Sequence, residues 1–210
     1  FLQIAALILT FSRGAFLALL IGFLTYISIR ESKISFRYIL FGLIILAFFV
    51  VAFDLEQIIL ERILFTNTAS FNERIMYFNI SKRMLLHYPF GIGLGNFTFW
   101  MPDFTMLKLA PWLYQPVHNT YMLIANEIGI AGLGFYLILL GAFTMKIFTV
   151  MKKAGEKMKD LGAILISILV AVFVIGLFDH YLFSLYHGQI LTFLLFGLYG
   201  KYIISAKSHS

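Results

Sequence analysis

Five long apolar runs, at residues 14–29, 38–53, 120–145, 161–178 and 188–204, constrain this chain more than any other feature. A helix needs about 20 predominantly apolar residues to cross the hydrocarbon of a bilayer. Each run approaches or exceeds that length, the shorter ones with help from the interface. Peptide groups left unpaired in hydrocarbon are costly, so the runs are expected to be helical. The chain is 61% hydrophobic and 12% charged, against roughly one quarter charged in a soluble domain. The expected fold class is therefore all-α, a polytopic transmembrane helical bundle. The chain opens inside a further apolar run, residues 1–11, with no initiating Met and no charged flank of a signal peptide. Residues 1–210 are accordingly expected to be a C-terminal fragment of one membrane-embedded domain. There is no cysteine, which excludes disulfides and thiolate metal sites.

Lys and Arg in short loops are retained on the cytoplasmic side of a membrane. Arg30, Lys33 and Arg37 link the first two of these runs, Lys146, Lys152, Lys153, Lys157 and Lys159 follow the third, and Lys201 and Lys207 close the chain. All three clusters fall on one side by simple alternation of crossings. The net charge of +6 is then largely a topology signal, and nucleic acid is not an expected partner. The opposite, outward side receives the Ser12-Arg13-Gly14 junction, a long loop at residues 54–119 and the turn at 179–187. Within the long loop an amphipathic stretch is expected at 55–64 and a helix at 70–86, stopped by Pro89.

The outward segments collect polar and titratable residues, which a bilayer makes costly unless they serve a purpose. Arg13 and Arg74 carry permanent charge and can each hold two phosphate oxygens. The alternatives are an interfacial anchor for Arg13 and a solvated helix face for Arg74, the latter also accounting for Arg83, Lys82, Arg62 and Lys108. Glycines alternate in Gly91-Ile92-Gly93-Leu94-Gly95-Asn96-Phe97. Such a loop either offers amides to phosphate, through Gly93 and Gly95, or makes a re-entrant turn that needs close packing. His118, introduced by Gln115-Pro116-Val117, is a candidate general base or an interfacial capping residue. Asn119 and Asn126, and Thr120 and Glu127, are seven apart and share a helix side. Glu127, if buried, requires a partner. Asp179 and His180 either orient His118 or end a helix at the interface. The Asp54-Leu55-Glu56 pair is weak as a cation site. No Walker loop, serine elbow or His-Glu-x-x-His helix is present.

Taken in order, these motifs resemble the O-antigen ligase and polymerase superfamily: Thr10-Phe11-Ser12-Arg13-Gly14-Ala15, then Glu73-Arg74 leading to His87-Tyr88-Pro89-Phe90-Gly91-Ile92-Gly93-Leu94-Gly95-Asn96-Phe97, then His118-Asn119-Thr120-Tyr121 with Glu127-Ile128-Gly129, and finally Phe178-Asp179-His180. The resemblance implies a multi-pass protein of the bacterial cytoplasmic (inner) membrane, with its site facing outward. It implies a metal-independent glycosyltransferase without cofactor, taking glycan from an undecaprenyl-diphosphate-linked donor to a glycan, lipid A-core or other surface acceptor. His118 would be the catalytic base and Asp179 its support. Arg13, Arg74, Gly93, Gly95, Asn119 and His180 would bind substrate. Some ligases carry a second histidine beside the motif histidine; here Pro116 and Val117 precede His118, and His180 is the nearest outward replacement. Ligase is the first expectation and polymerase of the same family the alternative. A transporter of a lipid-linked or anionic substrate, and a non-catalytic scaffold, are the readings from other classes.

Overall fold

The computed structural model describes Leu7 and residues 12–30, 68–105 and 108–207. The runs at 1–11 (apart from Leu7) and 38–53, the stretch at 55–64 and the Asp54-Glu56 pair lie outside the described residues. Among the described residues the chain is helical, with no strand. The helices are α1 (Arg13–Arg30), α2 (Thr68–His87), α3 (Phe97–Phe104), α4 (Thr120–Lys153), α5 (Glu156–Phe178), α6 (Tyr181–Ser184) and α7 (Tyr186–Lys207), with a 3-10 turn at Pro111–Leu113. Thr120–Lys153, Glu156–Phe178 and Tyr186–Ser205 are long and apolar enough to cross a membrane, and Gly14–Arg30 is a shorter apolar helix. This is a membrane protein built as an all-α bundle, as the apolar runs imply.

Three helices run one way and α5 runs back between them. Ser12 starts α1, its hydroxyl accepting the Ala15 N–H at 3.3 Å. Gly14 lies against Phe178 at the end of α5, and Gly22 against the Ser167 carbonyl. Tyr26 then donates to Asp160 at 2.7 Å, and Arg30 meets Glu156 and Asp160 at the start of α5. Small residues let the two backbones approach closely, which drives helix association where lipid offers no hydrophobic gain. Helix α4 begins beside Asp179 and reaches Gly162 of α5 through Met151. Helix α7 ends with Tyr202 donating to the Met158 carbonyl at 2.9 Å.

The bundle therefore has two distinct ends. One carries Arg30 and the α4–α5 connection with Lys152, Lys153, Lys157 and Lys159. The other carries Ser12, the start of α4, the end of α5 and α6. Each has its own core. Leu140, Ile147, Met151, Ala163, Ile166, Tyr199 and Tyr202 join α4, α5 and α7. Tyr77, Ile80, Met84, Phe97, Met101, Val117 and Leu123 join α2 and α3 to the start of α4. Tyr77, Ile80 and Met84 share one face of α2 by helical spacing, which is why that helix docks with this side inward.

One expectation needs correction. The run at 120–145 reads as a single continuous helix, but Gly129 has φ 86 and ψ 170 and breaks α4 there. The whole of α4 has 34 residues, which at about 1.5 Å each exceeds the roughly 30 Å hydrocarbon thickness, whereas the part after Gly129 alone suffices to cross. The break frees backbone groups that must be satisfied elsewhere. The glycine loop does so: Ile92 N–H donates to the Asn126 carbonyl at 2.9 Å, Gly93 N–H to the Glu127 carbonyl at 2.9 Å, and Ile130 N–H to the Pro89 carbonyl at 3.0 Å. A side chain at Gly91 would place its Cβ 2.6 Å from the Glu127 carbonyl oxygen, and one at Gly129 would sit 2.6 Å from the Phe90 carbonyl carbon. Both glycines also hold positive φ, which side chains other than glycine rarely adopt.

Candidate functional site

The last turn of α5 leaves carbonyls without helical partners, and the site is assembled on them. Arg74 of α2 donates through Nη1 to the Phe178 carbonyl at 3.0 Å. Asn119 donates through Nδ2 to the Leu177 carbonyl at 3.0 Å while its Oδ1 caps α4 by accepting the Met122 N–H at 2.9 Å. The Asp179 carbonyl accepts from both the Thr120 N–H at 3.1 Å and the Thr120 hydroxyl at 2.8 Å. A cation at a helix C-terminus is favourable on its own account. A guanidinium has five N–H donors, and among the described residues Arg74 bonds Phe178 alone, so its exposed remainder can take another acceptor.

These anchors bring two histidines together. His118, one residue before the Asn119 cap, stacks on Tyr77 with centroids 5.7 Å apart and an interplanar angle of 15°. The His180 ring meets it edge-on at 5.4 Å and 90°. His180 Nδ1 lies 2.6 Å from the Ser184 hydroxyl, and its backbone N–H donates to Asp179 Oδ1 at 2.8 Å. The Asp179 carboxylate thus holds the turn beside both rings instead of bonding to His118 itself. Among the described residues His118 Nδ1 is buried without a hydrogen-bond partner.

Burial holds the His118 imidazole below the ordinary histidine range, and the Arg74 guanidinium depresses it further. Asp179, the Pro116 carbonyl and Glu73 oppose the shift without reversing it. Burial also lowers His180; Asp179 opposes that shift, and His118 adds to it. Both rings are therefore neutral at neutral pH. A neutral imidazole can take a proton, which an imidazolium cannot.

The glycine loop contributes differently from its most direct reading. The Gly93 amide is engaged by the Glu127 carbonyl, and the Gly95 and Phe97 amides face the Glu127 side-chain carboxyl. Glu127 is 7% exposed, and its carboxyl lies against these amides. Any phosphate offered to them would have to displace a carboxylate of the chain. Asn126, 1% exposed, donates to the Ser81 hydroxyl at 2.7 Å and to the Met122 carbonyl at 2.8 Å, tying α4 to α2.

Arg13 opens α1 at the same end, beside Phe178, but its side chain lies outside the described residues. Arg83 remains on the exposed face of α2 and, among the described residues, bonds only the Asn79 carbonyl of its own helix. Tyr77 and Ser184 were missed from sequence. Their signal was helical spacing, three residues after Arg74 and four after His180. No group of three His, Asp or Glu side chains able to hold a metal ion occurs among the described residues.

A family model described as O-antigen ligase matches residues 1–137. The chain belongs to the O-antigen ligase family. That match covers Arg13, Arg74, the glycine loop, His118 and Glu127, and stops within α4, so the Asp179-His180 turn enters the site through the fold alone. Neither a curated protein nor a solved structure matches the chain. Membership supports a membrane-embedded, ligase- or polymerase-like role in O-antigen and polysaccharide biosynthesis.

Proposed function

We propose that this chain forms the reactive part of a glycosyltransferase that moves a glycan from an undecaprenyl-diphosphate carrier to an acceptor hydroxyl at the outer face of the bacterial cytoplasmic membrane. The observation that carries the reading is the neutral His118, stacked on Tyr77 and facing His180, with Arg74 beside it at the end of the bundle opposite the basic loops. His118 accepts the proton of the acceptor hydroxyl as its oxygen bonds to the anomeric carbon. The bond from that carbon to the carrier phosphate breaks, and the diphosphate leaves with the electron pair, facing the free donors of Arg74. Preorganised donors of this kind contribute about 10²–10³ in rate each, and a positioned base about 10²–10⁴. One displacement implies inversion at the anomeric carbon.

Asp179 supports the reaction by fixing the turn and its field on both rings, and Asn119 by setting His118 at the helix start. Ligase is the preferred assignment, following the family description; polymerase is the alternative within the same chemistry. A transporter calls for an ion or substrate site at a broken helix. The break at Gly129 exists, but the glycine loop's backbone fills it, which favours the transferase.

The deciding experiment is product analysis in cells lacking the full-length gene, complemented with wild type or His118→Ala. Full-length chains stranded on the carrier in the variant indicate a ligase, whereas single repeat units reaching the acceptor indicate a polymerase. Normal products from an inserted His118→Ala protein would overturn the assignment of the base.

A further inference from the structure

Behind His180, between the glycine loop and the α6–α7 turn, lies a cavity of about 300 Å³ bounded by Gly95, Phe97, Thr98, Glu127, Ser184 and Gln189, with Pro116 and Phe183 also on its wall. It is separate from the Arg74 side of the site. Arg74 acts on His118 through its charge, which opposes protonation; from His118 the contacts run to His180, then to Ser184, which lines the cavity. The two histidines stand between a cationic face and this chamber.

The lining states what the chamber would accept. Glu127 is buried, and among the described residues no cation lies against it; its carboxyl presents lone-pair sites beside the Gly95 and Phe97 amides. A carboxylate offers about four such sites, so others remain for donors from the cavity. Gln189 donates its Nε2 to the Phe183 carbonyl at 2.7 Å, leaving its amide oxygen as an acceptor. Ser184 and Thr98 add hydroxyls, while Phe97 and Phe183 supply apolar wall. The set is rich in acceptors, without positive charge and partly aromatic. It suits a neutral ligand with several hydroxyl donors and an apolar face.

We propose that this cavity is a sugar-ring subsite, holding one ring of the glycan substrate through Glu127, Gln189 and Ser184, on the side of the histidine pair away from Arg74. The assignment rests on the transferase reading above and adds a division of labour: diphosphate on the arginine side, sugar on the glutamate side. Ser184 bridges the two: its hydroxyl meets His180 Nδ1 at 2.6 Å and donates to the His180 carbonyl at 3.1 Å, so a sugar hydroxyl donating to its oxygen lies one contact from the ring that meets the base. The volume holds one or two rings at the small end of ligand pockets, so the rest of the glycan lies outside it.

The test uses the full-length protein in nanodiscs with carrier-linked glycan and unglycosylated acceptor, both extracted from cells lacking the gene. Glu127→Gln, which weakens the acceptor, is expected to raise KM about tenfold, the effect of one lost hydrogen bond, and Thr98→Phe, which fills the chamber, to raise it at least as much, with kcat changed less than about threefold in each. Hydroxyl-radical footprinting of the wild type keeps the proposal testable if either variant misfolds. Phe183 and the exposed Leu94, both on the cavity wall, should be protected by the carrier-linked glycan or by the acceptor, each added alone, and whichever protects identifies the substrate that supplies the ring. Unchanged KM in an inserted Thr98→Phe protein, or no protection by either substrate while the wild type transfers glycan, overturns the subsite and leaves the transferase intact. A wild type that transfers nothing from carrier to acceptor overturns both.

Discussion

At the basic end of the bundle, Arg30 meets Glu156 and Asp160 at 3.2 Å, and Lys159 meets Glu156 at 3.2 Å, with the Glu156 side chain 74% exposed. At the other end, Arg74 donates to a helix-terminal carbonyl, and among the described residues no carboxylate lies within ion-pair distance of it. The first arrangement balances charge in water and contributes little. The second keeps an unbalanced cation next to two neutral imidazoles, and buries a carboxylate, Glu127, against backbone amides. Ion pairs thus mark the Arg30 cluster, and uncompensated charge marks the end that carries the two histidines.

The largest effect that would break this contrast is at His118. His118→Ala is expected to reduce glycan transfer by about 10²–10⁴-fold while leaving membrane insertion and abundance normal, as read by product formation and detergent-resistant folding. Next is Arg74→Lys, which retains the charge but loses the fork of donors. A drop of about a hundredfold in transfer rate is expected, and an unchanged rate would return Arg74 to the role of a helix cap.

Gly91→Val combines positive φ with a backbone clash. Strain of about 1–3 kcal/mol, together with loss of the bonds that fill the α4 break, should lower thermal stability and yield. Proteolysis of the region between α2 and α4 measures this directly.

The pH profile sharpens the comparison further. His118 must be neutral to accept a proton, and its pKa is lowered by burial first and by Arg74 second. Wild-type activity should therefore persist below the ordinary histidine range and fall only as pH drops through the lowered value. Arg74→Gln removes one depressing influence, so the acid limb moves to higher pH. Asp179→Asn removes a raising one, so the limb moves lower. The smallest effect is expected at the basic end: Arg30→Gln should leave transfer unchanged and the melting temperature nearly so.

Much of this was legible without coordinates. The runs at 161–178 and 188–204 became α5 and α7 with modest extension, because a bilayer leaves an apolar segment few alternatives to helix. The helix expected at 70–86 is α2, ended by Pro89 as its chemistry requires. The site residues could be nominated by type and order, but their partners could not. Tyr77 and Ser184 look like ordinary helix residues until their faces are known, and Asp179 as a holder of the turn emerges only when the ends of α4 and α5 meet.

The sequence by itself determined the helical class, the segregation of lysines from the polar motifs, and the residues capable of phosphate and proton chemistry. Hydrophobic length and side-chain type are local properties, and membrane solvation acts on them locally. Tertiary structure alone decided that α4 breaks at Gly129, that His118 and His180 form one pair, and that the glycine loop's amides face Glu127. Each of these depends on a backbone group left without a partner in its own helix and satisfied by a segment tens of residues away, which no local pattern encodes.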